Sequence, residues 1–338
     1  MALTGKNRSG IQWDEMKSNG MMDRVLMKPA KNLIVAADDF GLTNRVNEAI
    51  AISCRDGVVT TASLMVTTPA FESAVNIARC EPKLDVGLHL NLTEGCPVAN
   101  PSTVSTLADS GMFQYRHPLT LATALLRKKI NISDLEREIR AQIEKALDSE
   151  LWITHIDGHK HVHLIPAVFH IICRVAPDYG IFGIRSARES TPRLASTLAR
   201  NKRSQRQILK QFAFGKLISA ASFVSQRKTA QSVLVAPERF YGITQTGFLD
   251  LEAFTDIVHD LDEGVHELMC HPGFVDDDLN VTPTRLRTQR ERELELLTGS
   301  DVRDLLRQNG VALISYRDLV EKYGNGRPNS VLHRYSAL

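Results

Sequence analysis

Short apolar runs alternate with amphipathic stretches along most of this chain, and that alternation leaves few folds open. The first run, Asn32 to Ala37, has no polar face, as expected of a strand covered on both sides. Leu84–Leu92, Glu267–Cys270 and Val311–Ser315 read as further strands, Thr60–Thr67 is β-rich, and Gly183–Ser186 is a short strand carrying Arg185. Between them lie helical spacings. These are Asn44–Asp56 stopped by Gly57, Pro69–Arg79, Ile132–Leu147 with Asn131 or Ser133 as its cap, Val168–Ala176, Leu251–Leu261, Gln289–Leu297 and Asp301–Gln308, with Tyr316-Arg317-Asp318 opening a last helix. Strand, helix, strand in this order predicts an α/β protein with a parallel sheet, open or closed. At 338 residues, 43% hydrophobic, the chain suits one α/β barrel with decorations.

In such folds the C-terminal strand ends build the site. Asp38-Asp39-Phe40-Gly41 closes the first run, and carboxylates buried there need a partner or a cation. Neighbours in a regular strand face opposite ways, so both aspartates share a site only if the backbone is irregular. His89, between Leu88 and Leu90, reads by itself as a satisfied core histidine. His271 ends its strand and precedes Pro272-Gly273. The densest feature is HIDGHKHVH, residues 155–163, with His155, His159, His161, His163 and Asp157. An extended backbone would align all five on one face, an array suited to Zn, Fe, Ni or Mn. One carboxylate with two imidazoles leaves coordination positions open, which is the layout of a catalytic metal. That predicts hydrolysis, with a neighbouring carboxylate as general base and His271, at its ordinary pKa, as general acid.

The remaining features bound the setting. A net charge of +2 gives no case for nucleic acid. Five cysteines without a CxxC pair indicate neither a disulfide framework nor a thiolate zinc site, and point to a reducing, cytoplasmic compartment. Residues 1–30 lack an apolar core of the secretory kind and read as a flexible extension, and 326–338 as a tail. Between Arg188 and Ser232 ten Lys/Arg face one acid, Glu189. This stretch, 188–232, reads as a basic helical insertion in a 31–325 catalytic domain, with its apolar Phe212, Phe214, Leu217, Ile218 and Phe223 able to meet an anionic membrane face peripherally. Gly95–Gly111 is a rim loop.

Six blocks then carry a resemblance: ADDFGLTNRVNEAI (37–50), VTTASLMV (59–66), VGLHLNLTEGCPV (86–98), THIDGHKHVHLIP (154–166), ELMCHPGF (267–274) and SYRDL (315–319). In this order they resemble the YdjC-like carbohydrate deacetylases, and the wording around HKHVH with the long basic middle resembles the hopanoid-biosynthesis-associated HpnK members. The resemblance implies a (β/α) barrel-like fold and removal of acetyl from an N-acetylated sugar or glycolipid. It also implies one divalent metal, Mg or Zn with Mn or Co as substitutes, on Asp39, His89 and His159. Asp38 becomes the base and His271 the acid, while Asp157, His161, His163 and Arg185 orient the ligands or touch substrate. His89 thereby changes from core residue to ligand. A second copy of the chain is a compatible partner. Two competing expectations are an amidohydrolase-type hydrolase of another amide, using the pair His159/His161 or His161/His163, and a metal- or sugar-binding module without chemistry.

Overall fold

A computed structural model describes residues 31–323 apart from 187, 192 and 230–232. The expected extension 1–30 and tail 326–338 lie outside the described residues. In chain order the elements begin β1 (Lys31–Phe40), α1 (Asn44–Arg55), β2 (Thr61–Leu64), α2 (Phe71–Cys80) and β3 (Asp85–Leu90). A two-residue ribbon, β4 (Ala108–Asp109) with β5 (Met112–Phe113), precedes α3 (Pro118–Leu126) and α4 (Ile132–Asp148). Then come β6 (Ile153–Gly158), α5 (Pro166–Val175), β7 (Gly183–Ile184), α6 (Leu194–Arg200) and α7 (Gln205–Thr229). The chain continues through β8 (Arg239–Tyr241), α8 (Leu251–Asp260), β9 (Gly264–Cys270), α9 (Asp277–Val281), α10 (Thr288–Thr298), α11 (Ser300–Gln308), β10 (Val311–Leu313) and α12 (Tyr316–Tyr323).

The main sheet is parallel throughout and runs β7-β6-β3-β2-β1-β9-β8, with β10 beside the start of β1. Isolated bridges Gly183–Val235 and Glu189–Phe240 link its two ends, so the sheet curls as the alternation predicts for a barrel-like fold. Strands rich in Val, Ile, Leu and Ala lie between the barrel interior and the helices, and are buried along most of their length. Helix α4 shows how the sequence sets the packing. Leu135, Ile139 and Ile143 repeat every four residues and are wholly buried in the main core, while Glu136 and Arg140 pair along a solvent-facing stripe. Asn131 occupies its cap position but makes no side-chain cap hydrogen bond.

Two departures from expectation matter for the site. The histidine-rich segment is not one extended strand, because β6 ends at Gly158 and residues His159–Leu164 form a 3-10 turn in which Lys160 and His161 have φ of 53° and 59°. The partner strand β3 ends at Leu90, opposite Gly158, so nothing remains to hold further residues extended. The described part of the basic stretch 188–232 contains α6 and α7, and part of its apolar set turns inward. Ile218 is buried with Leu164, Phe240, Ile243 and Met269, and Phe214 packs on the same cluster. Gly215 permits that docking, since a Cβ there would run into the Glu189 carboxylate.

Candidate active site

The DDFG turn resolves the question of how adjacent aspartates share a site. Pairing of β1 with β2 shifts register between Ala37 and Phe40, and Asp39 has φ 66°. That bulge swings both carboxylates onto one cavity. Gly41, at φ 102°, completes the turn where a Cβ would stand 2.8 Å from the Met65 carbonyl, and its N–H donates to Asn47 Oδ1 of α1 at 2.6 Å.

The cavity, about 950 Å³, is lined by Asp38, Asp39, His89, His159, His161 and His271 at the C-terminal strand ends. Residues Gln207, Gln211 and Phe214 of α7 wall one side, so the basic insertion shapes the site. Donor atoms of Asp39, His89 and His159 all lie within 4.8 Å of one another. His159 Nδ1 is 3.1 Å from Asp39 Oδ1, and His89 Nε2 is 3.7 Å from the same oxygen. The remaining nitrogen of each histidine meets a carboxylate: His89 Nδ1 is 2.8 Å from Asp157 Oδ1, and His159 Nε2 is 3.1 Å from Glu94 Oε2. Metal-binding histidines are commonly oriented in this way, so the donor set fits a divalent cation. A second group, Asp38, His89 and Asp157, already contains the Arg185 guanidinium.

Arg185 is wholly buried and lies outside the cavity lining. Its Nη1 and Nη2 donate to the two Asp38 oxygens at 2.9 and 2.7 Å, and Nε donates to Glu267 Oε1 at 2.8 Å. Nη1 also pairs with Asp157 Oδ2 at 2.5 Å. Below it Tyr316 donates to Glu267 Oε2 at 2.6 Å and stacks on His155, ring centroids 3.8 Å apart. His155 is therefore a packing group, with Gly87 and Gly183 making room for its ring. His163 is buried beside Gly158 and does not line the cavity. His161 lines the cavity edge against Phe214 and Phe240. Neither HxH pair forms a metal group among the described residues.

Charge balance differs from residue to residue. Burial raises the Asp38 carboxyl, with Arg185 opposing. Burial acts the same way on Asp39, but Arg290 and His159 outweigh it and hold the carboxyl well below its usual range. Burial depresses His159, yet Asp39 and Glu94 lift it to about 9. His271 departs from expectation: burial pushes it down to about 3, so it is neutral and not the ordinary-pKa acid anticipated.

Two contributors escaped the sequence reading. Arg290, from α10, is 1% exposed and its Nη2 donates to Asp39 Oδ2 at 2.5 Å. Glu94 comes from the loop after β3. Both sit in ordinary contexts, a charged helix and the turn just ahead of the Gly95–Gly111 rim loop. The NLTEG run beside His89 was the available signal for Glu94.

A curled parallel sheet with Asp38, Asp39 and the imidazoles of His89, His159, His161 and His271 at its C-terminal end defines the class, a barrel-like α/β protein with a hydrolase-type site. The YdjC-like protein profile matches residues 32–308, and the chain belongs to that family. It is 33% identical over 288 residues to a carbohydrate deacetylase of Brevibacillus brevis, covering 85% of this chain and 99% of that one. A carbohydrate deacetylase of Geobacillus stearothermophilus is 32% identical over 287 residues, 84% of this chain and 96% of that one. A crystal structure from Enterococcus faecalis, of a protein provisionally assigned to cellobiose-phosphate cleavage, superposes with a TM-score of 0.68 at 26% identity over 86% of this chain and 99% of that one.

Proposed function

We propose that the chain is a carbohydrate N-deacetylase, which hydrolyses the amide of an N-acetylated sugar with one divalent cation on Asp39, His89 and His159. The observation that carries this reading is the convergence of those three donors beside an Arg185-clamped Asp38 in one cavity. Membership of the family and relatives named carbohydrate deacetylases support it. A bound cation supplies Lewis-acid polarisation of the amide and of attacking water. Asp38, held by both guanidinium nitrogens and made more basic by burial, takes the proton from that water. The proton that Asp38 takes from water is the one the departing amine needs, and His271, neutral in the free chain, accepts it from Asp38 and hands it on to that amine. Two imidazoles and one carboxylate suit Zn, Mn or Co at least as well as Mg.

The test is acetate release from N-acetylglucosamine oligomers and glycolipids with each of these cations added. Asp38→Asn should keep cation binding and lose about 100-fold or more in turnover, whereas His159→Ala should lose the cation. No acetate from any substrate with any cation would end the reading.

The finer substrate assignment is a lipid-linked acetylglucosamine, as the HpnK resemblance implies. Lys202, Arg203, Arg206, Lys210 and Lys216 are exposed on the same segment that walls the cavity. A basic surface beside the opening favours substrate presented at an anionic membrane. Among the described residues no helix is long and apolar enough to cross a membrane. Salt-sensitive sedimentation with anionic liposomes, and faster turnover of the lipid than of diacetylchitobiose, are the expected results. Absence of liposome binding at low salt would leave only the soluble substrate.

A further inference from the structure

Glu94 sits where no sequence motif assigned it a task, yet it is tied into the site from three directions. Its Oε2 lies 3.1 Å from His159 Nε2, and its Oε1 accepts from Lys160 Nζ. Lys160 is the residue after His159 and adopts φ 53°, a left-handed conformation that a lysine seldom takes without compensation. The third tie runs through the backbone. Asn91 Oδ1 accepts from the Glu94 N–H at 3.1 Å, and Asn91 Nδ2 donates to the Glu94 carbonyl at 2.7 Å. Asn91 is itself gripped by α4, where Gln142 Oε1 accepts from the Asn91 N–H at 3.0 Å and Gln142 Nε2 donates to the Asn91 carbonyl at 2.6 Å. Glu138, one turn earlier, accepts from the Val98 and Ala99 N–H groups at 3.0 and 2.9 Å. Asn91, Glu138 and Gln142 are all buried, so this loop is fastened by satisfied internal hydrogen bonds and not by solvent-exposed contacts.

A rim loop that served only to admit substrate would need no such anchorage. The carboxylate it carries is the counterpart of Asp157: one stands behind His89 and the other behind His159, each on the nitrogen turned away from Asp39. From this we infer that Glu94 is a positioning residue, which orients the His159 ring so that Nδ1 faces the cation site and keeps that ring electron-rich. Helix α4, through Gln142 and Asn91, is the rigid support. The inference rests on the proposed cation site but not on the identity of the reaction.

The test is calorimetric titration of the full chain with Zn(II) and with Co(II), together with the visible absorption of the Co(II) form. Glu94→Ala should bind both cations about 10–100-fold more weakly and shift the Co(II) spectrum, with the circular dichroism of the cation-free protein unchanged. Glu94→Gln should lose less, because its amide oxygen still accepts from Nε2. Gln142→Ala should weaken binding in the same direction without touching His159. Wild-type affinity and spectrum in Glu94→Ala would overturn the inference, and so would a wild-type chain that binds neither cation. If Glu94→Ala is poorly folded, Glu94→Gln decides, and indistinguishable affinity and spectrum there would also overturn it. A wild-type protein that binds the cations but releases no acetate would sink the deacetylase reading and leave this one standing.

Discussion

Asp39 carries more than its share of constraint: φ of 66°, a contact with His159 and a buried guanidinium on its outer oxygen. Breaking a buried ion pair on one side leaves an uncompensated charge, at a cost of about 3–5 kcal/mol. Arg290→Met is expected to lose that much in urea unfolding near neutral pH. The loss should shrink in acid, because a carboxyl held below its ordinary pKa adds stability only above that ordinary value, and the contribution fades as pH falls through the folded one. A change under 1 kcal/mol at neutral pH would mean that Asp39 is held by other groups. The placement of Asp38, Asp39 and His271 at strand ends was legible because each closes a short apolar run, whereas His89 by itself read as a core histidine and was singled out only by the family resemblance. Arg290 was not legible, since its helix reads as a charged surface helix and only the fold brings it across 251 positions to Asp39.

Most helices and strands followed from periodicity, which is a property of local burial and so visible locally. Helix α3 did not, because PLTLATALL is apolar nearly all round and offers no contrasting face. The turn at His159–Leu164 was misread as extended for a non-local reason, the ending of β3 opposite Gly158. Among the helices α7 has the most conspicuous fastening. Burial lifts Glu189 beneath it to about 7, and Glu189 Oε1 accepts from the Thr244 N–H at 2.7 Å. A carboxyl raised above its ordinary pKa stabilises the fold fully below that ordinary value and loses the contribution as pH rises through about 7. Glu189→Gln should therefore raise the melting temperature at pH 8, by roughly 2–4 °C per kcal/mol recovered, and change it little at pH 5. An equal shift at both pH values would show that charge is not the cause. Gly215→Val, which drives a branched side chain into Glu189, should loosen α7 and open the cavity wall formed by Gln211 and Phe214.

The site crowns a large apolar core that is built without it. If a cation is bound as proposed, stripping it with a chelator should lower the stability by the binding linkage, about 4 kcal/mol at a thousandfold excess over Kd, and leave the cation-free protein folded. A calorimetric trace with no cooperative transition after chelation would contradict this. The centre of that core is β1, whose residue Lys31 pairs with Gly264 of β9 and Val311 of β10. On the ribosome β1 emerges 233 positions (264 − 31) ahead of its β9 partner. At roughly 5–20 residues per second the strand waits about 10–50 s with an apolar edge unsatisfied. Such an edge is what chaperones hold and what aggregates without them. Nascent chains arrested before Gly264 should stay protease-sensitive and chaperone-bound, whereas chains released after α12 should not.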